Sequence, residues 1–335
     1  MDDAEINNKI ISVIIPCRNE KQYIRDTILS LLNQKIEGYS IEIIIVDGMS
    51  QDGTRELLTQ LSSLHPDITI LDNPARITPA ALNIGIKYSR GKYIAILGAH
   101  AEYEHDYFRQ NLKIMEEYPE VSCAGGPIIS KGKNNFAKAA AISMSSTIGV
   151  GNAKHRFPEY EGYAEMACFP FFRKEVFEKY GLYDERLIKN QDDEFCFRIR
   201  LKGEKIFLSN KIKSTYYVRD SISDLFRQYY SYGKWRIPVL LIHKTPISYR
   251  QQVPALFFSL VVLLFIVSFI VGDIFIGLCL PALYLITLSM FAILKLKGEK
   301  IGVVKYLPVS LFILHFSYAL GFLSGISVFG IRKFK

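Results

Sequence analysis

Short apolar runs alternate with helical patterns through the first hundred residues. Ile11–Pro16, Ile41–Val46, Ile68–Leu71 and Tyr93–Leu97 are compact runs rich in β-branched residues. Between them, Tyr23–Leu32, Gln51–Leu64 and Pro79–Tyr88 repeat their apolar positions at helical spacing. Strands alternating with helices predict right-handed crossovers and a parallel sheet. Such sheets bind ligands beyond the carboxyl ends of their strands. The residues to inspect are therefore those just after each run: Pro16 to Glu20, Asp47, Arg76 and His100.

The next hundred residues are less regular. Val121–Ile129 reads as a strand interrupted by Gly125-Gly126-Pro127, and Tyr163–Phe172 as one aromatic strand. Lys174–Lys179 is a short helix closed by Gly181, Asp192–Leu201 a further helix, and Lys205–Leu208 and Thr215–Val218 strands. Lys131–Phe157 mixes a small-residue helix with a basic loop, a candidate mobile segment. No internal repeat is present.

Beyond residue 220 the pattern changes again. Ile222–Ile242 is aromatic, basic and amphipathic, suited to a membrane interface. From Val253 to Leu294 the only charge is Asp273. Segments 253–271 and 274–294 are each long enough to cross about 30 Å of hydrocarbon, and a third apolar segment, 307–329, follows the basic loop Lys295–Lys305. The domain expectation is 1–220 for an α/β unit, 221–250 for interfacial helices and 251–335 for a membrane domain.

Composition sharpens this picture. With 49% hydrophobic and 22% charged residues in 335, the chain is neither disordered nor an ordinary soluble enzyme. The net charge of +8 is unevenly placed: −6 over residues 1–194, +9 over 195–252 and +5 over 253–335. Basic charge beside apolar spans fits anionic membrane lipids and does not call for nucleic acid. Five scattered cysteines without metal-type spacing read as a reducing compartment. The acidic Met1–Glu5 start is unlike a signal peptide, so the expected location is the cytoplasmic membrane, multi-pass, with the α/β unit facing the cytoplasm. In that orientation Arg236, Lys244, Arg250 and the loop Lys295–Lys305 lie inside. Three full spans would put Arg332-Lys333-Phe334-Lys335 outside, against the charge bias, so either the last segment is re-entrant or interfacial or the short tail violates the bias.

No G-x-G-x-x-G follows the first strand and no P-loop is present, which argues against dinucleotide and P-loop sites. On spacing alone, Ser50 and Asp52 are good helix-starting residues, Arg76 a solvated loop charge, and Asp192-Asp193-Glu194 a stabilised helix start. Taken together, Ile14 to Glu20 and Ile44 to Thr54 resemble the opening of family 2 glycosyltransferases. Phe172 to Glu185 and Asn190 to Glu194 resemble the same family's acceptor half. Leu97 to Tyr103 and Gln228 to Trp235 are similar to the succinoglycan-biosynthesis type of bacterial membrane-attached glycosyltransferase. The resemblance covers roughly residues 10–245.

The resemblance implies a GT-A fold, a Rossmann-like mixed sheet, with residues 1–103 as the nucleotide-sugar half and 104–220 as the acceptor half. It implies an inverting transferase of the hexosyltransferase type, taking a sugar from a donor expected to be UDP-linked. The acceptor would be membrane-held, expected to be polyprenyl-diphosphate-linked, in exopolysaccharide or other surface-glycan assembly. Pro16, Arg18, Glu20, Asp47, Arg76 and His100 would bind the donor, and Asp192 would be the base. Asp193, Glu194, Lys234, Trp235 and Arg236 would serve the acceptor or support the site. The family's Asp-x-Asp, which holds Mg²⁺ or Mn²⁺, is Gly98-Ala99-His100 here. If the segment stays extended, His100 and Glu102 point the same way and become the metal candidates; alternatively His100 meets phosphate directly. The rivals are a processive polysaccharide synthase and a catalytically silent scaffold that binds nucleotide-sugar. Donor sugar, acceptor, linkage and oligomeric state are not legible.

Overall fold

The computed structural model describes residues 9–34, 36–246 and 248–330. The acidic Met1–Glu5 start and the Arg332–Lys335 tail lie outside the described residues. The chain folds into two compact units. The first ends at Ile129 and resumes over Ala153–Tyr216; the second is Ser130–Asn152 and the chain from Tyr217 onward.

In chain order the first unit begins β1 (Ile10–Cys17), α1 (Ile24–Leu32), β2 (Ser40–Asp47), α2 (Thr54–Leu64), β3 (Ile68–Asp72), α3 (Thr78–Tyr88) and β4 (Tyr93–Ile96). β5 (Ala101–Tyr103), α4 (Tyr107–Glu117), β6 (Val121–Gly125) and β7 (Ile128–Lys131) follow. After α5 (Asn135–Met144) and α6 (Thr147–Val150) of the second unit, the first resumes with β8 (Gly162–Tyr163), β9 (Phe171–Arg173), α7 (Glu175–Tyr180), α8 (Gln191–Arg200), β10 (Lys205–Leu208) and β11 (Ser214–Tyr217).

Eight strands form one mixed sheet in the order β3-β2-β1-β4-β9-β6-β10-β8. β1 to β4 are mutually parallel, with Cys17, Asp47 and Asp72 side by side at their carboxyl ends. β1 is apolar on both faces because helices cover both. Ile11, Val13 and Ile15 pack with Ile24, Ile28 and Leu31 of α1, while Ile14 packs with Ala81, Leu82 and Ile86 of α3. α1 buries Ile24, Thr27, Ile28 and Leu31, one stripe of an amphipathic helix.

The sequence reading and the structure differ in the less regular half. The single strand expected over Tyr163–Phe172 is two short strands: β8 closes the sheet against β10, and β9 enters antiparallel between β4 and β6. Pro170, which has no N–H to give to a ladder, interrupts the extended run just before β9. Val121–Ile129 splits into β6 and β7 at Gly126-Pro127, where the backbones nearly touch. A Cβ on Gly126 would lie 1.7 Å from the Ile212 carbonyl oxygen. Residues 130–152, placed by sequence with the α/β unit, instead belong to the second unit. Their small residues explain it, since Ala139 joins an apolar cluster with Ala292, Val303, Val304 and Leu307.

The second unit adds α9 (Ile222–His243), α10 (Val253–Val271), α11 (Ile274–Lys295), α12 (Ile301–Val304) and α13 (Leu307–Gly325). Val253–Val271, Ile274–Lys295 and Ile301–Gly330 are each long and apolar enough to cross a membrane. Asp273 caps α11 by accepting from the Phe275 N–H at 2.9 Å. Of the most apolar stretch of each, 11% of the residues are buried in the first two and 50% in the third, so the third packs far more against protein than the others do. Its partner is α9, read from sequence as interfacial. Gly321-x-x-x-Gly325 faces the backbone of α9, where a Cβ would lie 2.0 Å from the Tyr230 oxygen and 2.5 Å from the Lys234 oxygen. Gly233 returns the contact against the Tyr318 oxygen. Small residues at this spacing let apolar helices approach backbone to backbone.

Candidate active site

Three loops meet at the carboxyl ends of β1, β2 and β3, and hydrogen bonds tie the first two together. The Asn19 N–H donates to Ser50 Oγ (2.9 Å), which donates to Asp47 Oδ1 (2.6 Å). Asn19 Oδ1 accepts from the Gln51 N–H at 2.9 Å, and Thr54 Oγ1 accepts from the Glu20 N–H at 2.9 Å. Asp52 takes the Lys21 and Thr54 N–H groups. The Thr54 hydroxyl above all holds the Asp52 carboxyl below the usual aspartate range. Ser50 and Asp52 thus act in the loop-to-loop tie rather than only starting a helix.

Asp47 is buried, and Arg55 bridges it to Asp72 at 3.4 and 2.7 Å. The third loop hangs on Asn73, whose N–H bonds the Asp47 oxygen and whose amide bonds the Ile77 oxygen. Each loop carries one non-glycine residue in left-handed backbone: Asn19 (φ 55°), Met49 (φ 59°) and Arg76 (φ 58°). Such residues are uncommon and collect where a loop is shaped for function.

The segment after β4 does not stay extended. It turns at Ala99-His100 before β5 begins. Tyr103 closes the turn by accepting from the Gly98 N–H at 2.8 Å, and the Thr27 hydroxyl bonds the carbonyls of Ala99 and Ala101. The alignment of Gly98, His100 and Glu102, which needed an extended strand, is therefore absent. Glu102 lies in β5 opposite Thr215. His100 pairs with Glu20 instead, Nδ1 to Oε1 at 3.2 Å, with the Tyr23 ring 6.3 Å away. Pro16, Arg18 and Glu20 lie at or just after the end of β1, Asp47 ends β2, Arg76 follows β3 and His100 follows β4, and Arg18 packs within 3.2 Å of where a Gly48 Cβ would stand.

α8 begins with Asn190 in left-handed backbone (φ 62°) and places Asp192, Asp193 and Glu194 in its first turn. The three have different surroundings. Glu194 is buried and held bidentately by Arg198 at 3.0 and 3.2 Å. Arg198 also donates to the carbonyls of Tyr180 and Leu182 at 2.7 Å each. Glu194 is thus an internal support. Asp192 is half-buried, and its Oδ1 accepts from the Asp193 N–H at 2.9 Å. Both aspartates are close enough to act on Cys168. Its thiol rises to about 11, mainly by burial, with Arg156 opposing and Asp192 and Asp193 adding to the rise. Beneath the preceding loop, buried Asn83 bonds the Tyr183 N–H, the Tyr183 carbonyl and the Glu185 carboxylate, each at 2.9 Å.

Lys234, Trp235 and Arg236 lie on α9 in the second unit. Trp235 packs against Phe329 at 5.3 Å between ring centres, the Lys234 ammonium stands 6.0 Å from the same ring, and Arg236 is buried. Sequence reading missed Arg55, Asn83, Arg198 and Tyr103. Arg55 was the most findable, the second residue of α2 and directly after the Asp47 loop.

The profile of glycosyl transferase family 2 matches residues 12–181, from inside β1 to the end of α7. The chain belongs to that family. The succinoglycan biosynthesis protein ExoA of Rhizobium meliloti (strain 1021) is 30% identical over 259 residues, 76% of this chain and 77% of its own. A Methanococcus voltae relative is 29% identical over 332 residues, 97% of this chain and 99% of its own. It is the dolichyl N-acetyl-alpha-D-glucosaminyl phosphate 3-beta-D-2,3-diacetamido-2,3-dideoxy-beta-D-glucuronosyltransferase. Among solved structures, the mannosyltransferase PcManGT from Pyrobaculum calidifontis, in complex with GDP-Man and Mn²⁺, superposes with a TM-score of 0.58. It is 15% identical over 96% of this chain and 87% of its own. The family 2 chain is a glycosyltransferase whose N-terminal part has the GT-A fold.

Proposed function

We propose that this transferase moves one sugar from a nucleotide-sugar to a lipid-linked acceptor, with inversion at the anomeric carbon. The observation that carries the reading is the pairing of a braced strand-end crevice, Asn19 to Asp52, with the half-buried Asp192 at the start of α8. The crevice would hold the nucleoside through Asp47 and the β1 loop, and Arg18 and Arg76 would face the diphosphate as guanidinium donors. In the transfer, the acceptor oxygen bonds the anomeric carbon as the bond to the nucleotide's distal phosphate oxygen breaks. Asp192 takes the acceptor's proton. Asp193, whose N–H donates to the Asp192 carboxylate, would support Asp192 in the first turn of α8.

The fit for a divalent ion rests on one imidazole. Among the described residues no three His, Cys, Asp or Glu side chains gather for a metal. His100 nevertheless has the form of a ligating histidine, its Nδ1 engaged by the Glu20 carboxylate and Nε2 left as the ligand nitrogen. As a single nitrogen donor, His100 would be accepted more readily by Mn²⁺ than by Mg²⁺. A divalent ion bound there would offset the charge of the departing nucleoside diphosphate.

Membrane attachment supports the lipid-linked acceptor, because it confines enzyme and acceptor to one surface and raises their effective concentration. The three apolar helices and the basic stretch over 195–252 favour a multi-pass inner-membrane protein with its GT-A unit in the cytoplasm. ExoA and the M. voltae transferase, by their names, favour surface-glycan assembly and a lipid-phosphate acceptor.

The test is a panel of UDP- and GDP-sugars with the detergent-purified full chain, with Mn²⁺ or EDTA, and lipid-phosphate saccharides as acceptors. Selective donor binding and a single added sugar are the expected results. A polymeric product would make the chain a processive synthase, and absence of donor binding by folded protein would make it a scaffold. Donor binding indifferent to EDTA would leave His100 as a direct phosphate contact.

A further inference from the structure

The second unit carries a half-open cavity of about 420 Å³ that the transfer chemistry above does not use. That volume lies within the range of small-molecule sites, about 300–1,000 Å³. Its walls include Val253, Pro254, Phe257 and Phe258 at the start of α10, Leu314 of α13 and residues 147–151. Polar groups are confined to few positions. Arg250 and Gln251 lie just before α10, and Arg250 Nη1 donates to Asn152 Oδ1 at 2.7 Å. The Gln251 Oε1 is buried and takes no hydrogen bond from any described residue. Elsewhere in the lining, the Tyr284 hydroxyl and His315 Nδ1 bond each other at 2.8 Å, and His315 Nε2 meets the Ile148 carbonyl at 2.9 Å. His315's two ring nitrogens are therefore already engaged.

We infer that this cavity receives the first isoprenoid units of the lipid-phosphate acceptor, with Arg250 and Gln251 at the phosphate end. The apolar wall between helices suits a branched hydrocarbon. A guanidinium held in place by Asn152 gives a charge-assisted contact to a lipid phosphate. An unpartnered amide oxygen beside it accepts from a phosphate or sugar hydroxyl. Gly151, in left-handed backbone (φ 62°), keeps the loop close to Arg250, since a Cβ there would lie 3.2 Å from Cδ. Asn152 is also the last residue of the second unit before the chain re-enters the first at Ala153.

This inference rests on the lipid-linked acceptor of the proposed function and names its seat. It is tested with the full chain in nanodiscs and a diazirine-bearing polyprenyl phosphate, mapping labelled peptides by mass spectrometry. Labelling of 147–151, 253–258 and 314–318, competed by farnesyl phosphate and not by farnesol or phosphatidylglycerol, is expected. Arg250→Gln should weaken competition at least about tenfold and Arg250→Lys restore part of it. Leu314→Trp should exclude the label by filling the cavity. Equal competition by phosphatidylglycerol would make the cavity a general lipid groove and overturn the inference. So would labelling elsewhere, or undiminished competition in the Arg250→Gln chain. Nucleotide-sugar binding by the wild-type chain, measured in the same nanodiscs without lipid phosphate, keeps the two readings apart. Its failure removes the transferase reading, whereas specific labelling stands or falls independently.

Discussion

The loops at the ends of β1 and β2 and the start of α8 are braced by opposite means. The first are laced by many dispersed ties, Asn19 to Ser50, Gln51 to Asn19 and Glu20 to Thr54, with the Asp47 and Asp52 carboxylates as further acceptors and Arg55 bridging Asp47 to Asp72. The second stands on a few charged and buried contacts, the Glu194–Arg198 pair and the Asn83 clasp. Many small ties each contribute about 1 kcal/mol, and losing one leaves the others in place. A buried ion pair is different: removing one partner strands the other charge. The proposed donor side should therefore degrade gradually, and the proposed acceptor side abruptly.

The sharpest break separates chemistry from bracing on the acceptor side. Asp192→Asn should lower turnover about 10³-fold, roughly 4 kcal/mol in the barrier, with donor affinity within about twofold of wild type by titration and melting unchanged. Unchanged turnover would remove Asp192 from its assigned role. Arg198→Met attacks the bracing instead. It leaves the buried Glu194 carboxylate without its bidentate partner and should cost about 3 kcal/mol of stability. Thermal melting should show the loss, and adding Glu194→Gln should recover part of it. If Arg198→Met melts like wild type, the contrast between the two sides is wrong.

The same contrast explains what was legible in the sequence. The parallel strands could be read because each is a β-branched run buried on both faces and bounded by turn residues. Crossover rules then placed Glu20, Asp47 and Arg76 on one edge. β8 and β9 could not be read as separate strands, because their pairing with β10, β4 and β6 is set by partners distant in sequence. Residues 198 and 83 escaped for the same reason: an Arg and an Asn inside helical patterns look like surface positions until the fold buries their partners. The turn at Ala99-His100 was hidden too, since it depends on Thr27 and Tyr103 reaching in from other elements.

A smaller effect is expected from Ser50→Ala. It removes the hydroxyl that accepts from Asn19 and donates to Asp47, leaving the Gln51 and Glu20 ties intact. Stability should fall by about 1 kcal/mol, and the KM for the nucleotide-sugar should rise severalfold with kcat nearly unchanged. A loss of kcat comparable to that of Asp192→Asn would show that the loops are not independent of the chemistry.

The smallest effect lies at the opposite end of the sheet, where one ionised group braces the parallel half. Burial pushes the Glu42 carboxyl up. The Ser12 hydroxyl, the Arg90 N–H and the Arg90 guanidinium and its charge outweigh burial, so it titrates below the ordinary glutamate value of 4.5. Folding therefore favours the ionised form. That stabilisation is complete above the unfolded value near 4.5 and is lost as pH falls through the lower folded value. Glu42→Gln should flatten the acid limb of the melting profile while changing the pH 7–8 melting point only modestly. Because Arg90 is largely exposed, added salt should reproduce little of the change, the Ser12 and backbone hydrogen bonds being insensitive to screening. An acid limb identical in the two chains would mean that other carboxylates set the acid stability of the unit.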